Sequence, residues 1–254
     1  MPITATDIVA YGSQTMPDDD TPTGIGGAIK LTTRVVFTDI VATDEIEIIS
    51  TSASDTAVDV TVFGRNAAGE LVSDSETLTG TSAATITGTA FERVLKMTLS
   101  TAAAGVVTVR DQDTDTAIGV FQIGETEIRR PFYDASADAS GGSARDYYEK
   151  IFFKNNHGSL TLTAAQIIEQ ADPQGVVTFA LESTLDDSDD NGTGNRQTHD
   201  RDGAGLTFDS SDKAVATGQL PFGEAQGVWL KLSLSAGLGA QNTSVTMRVS
   251  GNTV

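Results

Sequence analysis

The chain has 254 residues, no cysteine and a formal net charge of −19, which excludes disulfides and thiolate metal sites. Residues 1–130 carry 8 Lys and Arg against 19 Asp and Glu, and residues 131–254 carry 8 against 16; neither half can neutralise phosphates, so nucleic acid is not an expected partner. Hydrophobic residues make up 39% and charged residues 20%, and the balance is rich in Thr, Ser, Ala, Gly and Asp, which suit strand surfaces and turns.

No apolar stretch approaches the roughly 20 residues that span a bilayer, and residues 1–10 lack the charged start and apolar run of a signal peptide. The expectation is a soluble protein made in the cytoplasm, with no membrane partner. Residues 1–30 read as an extended N-terminal arm. The segment from Met16 to Gly27 holds two prolines, the run Asp18-Asp19-Asp20 and three glycines, which oppose helix and strand alike. Two readings stand side by side, a loose terminus and an arm that orders on a neighbouring subunit.

From Thr32 onward short runs alternate at period two. In Val58-Asp59-Val60-Thr61-Val62-Phe63 the valines share one face. Gly64 to Gly69 is a turn, and Leu71 to Leu78 returns to make a hairpin. Phe91 to Leu99 reads as one strand with Phe91, Arg93, Leu95, Met97 and Leu99 on one face. Gly105 to Arg110 and Ile118 to Ile123 follow, across the acidic turn Asp111 to Thr116. This spacing predicts a β-sandwich over residues 31–133.

Residues 134–146, small and glycine-bearing, read as a linker. A second β-sandwich is expected over residues 147–254. It opens with the most apolar strand, Tyr147 to Lys154. A turn at Asn155 to Gly158, strands at Ser159 to Leu162 and Val176 to Leu181, and a long polar loop at residues 184–213 follow. Thr163 to Gln170 is compatible with two helical turns or with a continued strand, and the strand is favoured. Gly227 to Leu234 and Ser244 to Val249 predict a closing hairpin, with Trp229 against the second core. The fold class is therefore all-β, two β-sandwich domains joined by a short linker.

No catalytic constellation stands out. His157 lies in a polar turn, and His199 lies in the loop as His199-Asp200-Arg201-Asp202; adjacent residues rarely point at one another as a triad requires, and no Gly-x-Ser-x-Gly elbow exists. Carboxylate pairs abound, but none stands beside the aromatic residues of a sugar cleft. Asp187-Ser188-Asp189-Asp190-Asn191-Gly192 matches the first half of a calcium loop, which makes Asp187, Asp189 and Asn191 calcium candidates. Thr198 stands where that loop needs a bidentate glutamate, and a solvated acidic turn is the competing reading. Asp111-Gln112-Asp113-Thr114-Asp115 alternates similarly without the glycine. Arg129-Arg130 reads as a strand end, or as an ionic contact to another subunit. No cofactor is expected.

Several phrases are familiar together: Val60 to Glu70 with Phe91 to Lys96 and Ala104 to Asp111, then Tyr147 to Asn155 with Gly158 to Leu162, and Ala225 to Leu230 with the strand from Ser244 to Gly251. In texture and short motifs they resemble virion structural proteins of tailed bacteriophages, of the kind encoded close to the major capsid protein. The resemblance implies a minor capsid protein, a decoration or cement protein. Such a protein is a non-enzymatic homo-oligomer, commonly a trimer, that clamps major capsid protein subunits on the outer capsid surface of the virion after synthesis in the host cytoplasm. The alternatives are a phage tail or neck component, an adhesin module binding host-surface glycan or protein through the loop at 184–213, and a hydrolase using the loop carboxylates.

Overall fold

A computed structural model describes residues 2–20, 24–40, 42–135, 143–192, 194–197, 205–237 and 244–253. The protein is all-β, with 54% strand and 1% helix. The strands, in chain order, are β1 (Ile8–Thr15), β2 (Gly26–Arg34), β3 (Asp44–Ser50), β4 (Asp59–Arg65), β5 (Leu71–Thr77), β6 (Ala84–Phe91), β7 (Arg93–Leu99), β8 (Val107–Asp111) and β9 (Ala117–Phe121). They continue with β10 (Glu127–Arg129), β11 (Arg145–Asn155), β12 (Leu162–Ala171), β13 (Val177–Leu185), β14 (Lys213–Ala214), β15 (Gln219–Leu220), β16 (Ala225–Leu234) and β17 (Thr246–Thr253). Thr163 to Gln170 lies in strand β12.

The chain divides into two compact units, a middle unit of residues 31–133 and a flanking unit of residues 1–30 with 134–254. In the middle unit, one sheet has the order β10-β7-β4-β5 and the other β6-β3-β8-β9. Their inward faces share one core, in which Val60, Val62, Met97 and Ile128 meet Ile46, Ile48, Val107, Val109 and Phe121. The β4–β5 hairpin forms with Arg65 opposite Leu71. The Phe91–Leu99 stretch is two strands, because β6 ends at Phe91 and β7 begins at Arg93. Within β7 the register against β4 slips between the pairs Phe63–Lys96 and Gly64–Val94. The slip leaves Leu95 as a bulge residue and turns Val94 into the core beside Met97 and Leu99. One extra residue reverses the alternation on one side of it, so within β7 the face expected from simple period two holds only from Met97 onward, while Phe91, at the end of β6, reaches the core as expected.

The outer edge of β5 is closed by its own side chains. The amides of Ser75 and Thr77 donate to the carboxylates of the residues before them, Asp74 Oδ1 at 2.8 Å and Glu76 Oε1 at 3.1 Å. Arg129 is buried beside Glu127, at 3.5 Å, and over the Tyr133 ring. Arg130 donates to the Val94 carbonyl at 2.7 Å, pairs with Asp39 and covers the Phe37 ring. Both arginines thus have partners inside the unit.

In the flanking unit, the larger sheet has the order β13-β16-β11-β1-β2. The first thirty residues are not an irregular arm. β1 pairs antiparallel with β11, Ile8 opposite Asn155 and Gly12 opposite Ile151, because Val9, Tyr11 and Ser13 bury one side of a regular strand. Among the described residues, Pro17 and Gly24 lie in the connection between β1 and β2, while Gly26 and Gly27 open β2 itself. β11 is buried on both faces from Tyr147 to Phe153, as befits a strand with neighbours on both sides. The expected closing hairpin does not form: β16 pairs with β11 and β13, whereas β17 pairs with β12. The smaller sheet holds β14, β12 and β15, with β17 on the other side of β12. The linker expected at 134–146 lies partly outside the described residues, and its last two positions belong to β11.

Two expectations test this packing. A Cβ on Gly64 would stand 2.2 Å from the Arg93 carbonyl oxygen and 2.8 Å from Phe91 Cδ1. Gly64→Ala is therefore expected to lower unfolding free energy by about 3 kcal/mol in urea titrations. Gly69→Ala, at φ 76° with open space around it, is expected to cost only about 1 kcal/mol.

Asp55 accepts Ser50 Oγ at 2.6 Å, the Ala104 amide at 2.9 Å and the Gly105 amide at 3.1 Å. The Ser50 hydroxyl first, then the Ala104 amide, hold its carboxyl below the ordinary range against the opposing effect of burial. A carboxyl depressed in the folded state stabilises fully above its unfolded value of about 4, and that contribution is lost as pH falls through the lower folded value. The stability gap between wild type and Asp55→Asn is expected to be widest at neutral pH and to shrink below about pH 4, read by urea denaturation across pH.

Candidate functional site: a buried lysine cradle

The most chemically loaded point in the flanking unit is the middle of β11. Lys150 is fully buried there. Its register partner on β16 is Trp229, which in turn faces Ala180 on β13. Glu182, also on β13, is equally buried. The two charged side chains meet across β16 because Gly227 leaves room for them: a Cβ there would stand 2.8 Å from Glu182 Cγ and 3.2 Å from Lys150 Cε.

Lys150 Nζ lies 3.1 Å from Glu182 Oε1 and 3.2 Å from Asp187 Oδ1, and donates to the Asp189 carbonyl at 2.8 Å. The Trp229 indole N–H donates to Glu182 Oε1 at 2.7 Å. Rings of Phe152 and Trp229 flank the ammonium, with centroids at 5.2 and 5.7 Å. Burial pushes the Asp187 carboxyl up, but the Asp189 amide and the Lys150 ammonium outweigh it and hold it below the usual range. Removing an ion from water costs several kcal/mol, and only close, well-partnered opposite charges repay it.

The calcium candidates sit in this cradle, each with a structural duty. Asp187 faces Lys150. The Asp189 carbonyl accepts from Lys150 and from the Gly27 amide at 2.9 Å. Asn191, buried, accepts the Ile25 amide at 2.7 Å and donates to the Asn195 carbonyl at 3.0 Å. Carboxylate oxygens of Glu182, Asp187 and Asp189 approach within 4.8 Å of one another, and the ammonium of Lys150 already stands against two of the three. Asp187 and Asp189 thus lie close together beside the Lys150 ammonium, while the Asn191 amide is engaged by Ile25 and Asn195.

The loop beyond β13 is likewise tied down. Asp20, the last of the three adjacent aspartates, accepts Arg196 Nε at 2.6 Å and Gln197 Nε2 at 2.9 Å. Backbone bonds join Gly24 to Gly194 and Ile25 to Asn191. The sequence treats the acidic run and the polar loop as separate loose segments, yet they are partners. Ile25 then packs with Tyr148, Ala180 and Trp229, so Trp229 does lie in a core of this unit.

The remaining candidates are structural in their contacts. His157 Nδ1 accepts the amides of Ser159 and Leu160 at 3.2 and 3.1 Å, which closes its turn. His199 lies outside the described residues, as does Thr198. Asp111 Oδ1 accepts the Thr114 amide and hydroxyl at 2.9 and 2.7 Å, a self-closed turn. Sequence reasoning overlooked a surface group on β11 and β16. Lys231 Nζ lies 2.9 Å from Asp146 Oδ2, and Ser233 Oγ donates to Asp146 Oδ1 at 2.7 Å. Burial alone would lower the Lys231 ammonium, but Asp146 outweighs it and raises it, and burial raises the Tyr148 hydroxyl. A lysine held protonated is a poor general base for the nearby serine.

No protein-family model matches this chain, and neither a curated protein nor a solved structure does.

Two outcomes follow from the cradle. Lys150→Met leaves buried Glu182 without its cation and is expected to cost about 3–5 kcal/mol of stability in urea titration. Because the protein's own ammonium faces these carboxylates, chelator treatment is expected to leave the melting temperature unchanged; a fall on chelation, reversed by added calcium, contradicts this account.

Proposed function

We propose that this protein is a non-enzymatic structural component of a tailed-phage virion, a decoration protein that stabilises the shell by binding neighbouring major capsid protein subunits as a homo-oligomer, a trimer in the simplest arrangement. Its place is the outer capsid surface, after synthesis in the host cytoplasm. The sequence resemblance suggests the class of particle, and the observation that carries an assembly role is β17. This strand pairs with β12 through seven register partners, from Thr246–Ala171 to Thr253–Leu162, and among the described residues no strand pairs with its other side.

Three of the other sheet edges, those of β5, β9 and β13, differ. β5 is closed by Asp74 and Glu76, β9 meets the Thr38 amide through the Ile118 carbonyl at 3.1 Å, and β13 bonds at Phe179 to Asp209. A half-paired strand is a template for strand addition. β17 is also uncharged apart from Arg248, so it lacks the acidity that keeps copies of the chain apart. Repeated binding over equivalent sites on a shell adds avidity to contacts that are individually weak.

Purified protein is expected to sediment as a defined oligomer and to bind capsids that lack it. Arg248→Glu, at an exposed position of β17, is expected to weaken that binding several-fold while leaving the melting temperature near that of wild type. A monomer that ignores such capsids refutes the reading, and antibody labelling of tails instead of heads reassigns the protein to the tail or neck.

A further inference from the structure

The Lys150 cradle has the composition of a reaction centre as well as of an ion pair. Its amine and two carboxylates are held together in a water-poor site, and one of the carboxylates is fully buried and fixed by an indole N–H. We propose that Lys150 and Asp187 become joined by an isopeptide bond that the protein forms on itself, with Glu182 as the proton relay. The cross-link concerns the chemistry of this chain alone and stands apart from any choice of binding partner.

The geometry assigns the roles. Nζ is 3.1 Å from Glu182 Oε1 and 3.2 Å from Asp187 Oδ1, within reach of both for proton transfer and for attack. Glu182 is 0% exposed and is anchored to Trp229 Nε1 at 2.7 Å, so it is the fixed partner. Asp187 is 11% exposed and follows β13, so it is the carboxyl from which a water molecule can leave. Gly227 keeps the space between Lys150 and Glu182 clear, and the Phe152 and Trp229 rings limit the water that would favour hydrolysis.

The step balances without an outside reagent. Nζ passes one proton to Glu182, and its freed lone pair attacks Cγ of Asp187. The new C–N bond forms while one Cγ–O bond breaks. The departing oxygen takes the proton returned by Glu182 and a second proton from the nitrogen, and leaves as water. An ammonium and a carboxylate become a neutral amide and one water molecule, nothing is oxidised or reduced, and Glu182 ends as it began. Two buried opposite charges are thereby removed, and β11 becomes covalently tied to the end of β13 across β16.

The test is the intact mass of the purified full chain under denaturing conditions. The expected mass is about 18 Da, one water, below that of the sequence, with a branched proteolytic peptide in which Lys150 is linked to Asp187. Asp187→Asn is expected to lose about 17 Da, one ammonia, instead, and Glu182→Gln to stay at its sequence mass. Wild-type protein that remains at its sequence mass after prolonged incubation at neutral pH overturns the proposal. So does a mass loss that fragmentation places elsewhere, and an unchanged mass loss in Glu182→Gln overturns the relay role of Glu182.

Discussion

One ammonium group, Lys150 Nζ, dictates how the flanking unit is arranged around it. A charge that leaves water entirely must find its acceptors within the fold, and here they come from β13 and the segment that follows it. Meeting that demand sets where the loop after β13 turns, since Asp187 and the Asp189 carbonyl must both reach Nζ. It sets the residue at 227, since a side chain would fill the passage between Lys150 and Glu182. It also sets the fate of residues 24–27, whose amides bond to the same loop at Asp189 and Gly194. The loop in turn holds Ile25 against Trp229, so polar and apolar burial in this unit reinforce each other.

Acidity serves different ends in different places. In the cradle, carboxylates neutralise an interior cation. At Asp55 a carboxylate gathers a hydroxyl and two amides from two other segments of the middle unit. On β5, Asp74 and Glu76 occupy amides that would otherwise face another chain, one of the ways natural sheets limit edge pairing. A chain of this charge thus spends several of its carboxylates on local architecture, and its composition alone does not reveal which ones.

Much of the class was legible and much of the pairing was not. The alternation Val58 to Phe63 gave β4 and its hairpin because one sheet face is buried and the other is wet. The same rule misplaced Val94, because a bulge at Leu95 changes phase without leaving a mark in composition. The runs from Gly227 and Ser244 were readable as strands, but periodicity says nothing about partners, and each went to a strand distant in sequence. Ile8-Val9-Ala10-Tyr11 carried a strand signal that the prolines and glycines just downstream obscured. Lys150 stood in plain view within an apolar run. Its significance depended on Glu182 and Asp187, which only the strand order β13-β16-β11 brings to it. The half-match to a calcium loop fell on the segment whose Asp187 and Asp189 face the Lys150 ammonium.

The antiparallel pairing of β1 with β11 joins residues 8–12 to residues 151–155, and all of the middle unit intervenes in the chain. Synthesis at about 5–20 residues per second therefore leaves β1, already beside β2, waiting for β11 while the middle unit has every strand of its own sheets from β3 to β10. The inserted unit is free to condense first, and the outer one closes only as a late, entropically costly event. Until then β1 has β2 on one side only, and the run from Ile8 to Gly12 stays half-paired, an apolar ribbon with one bare edge.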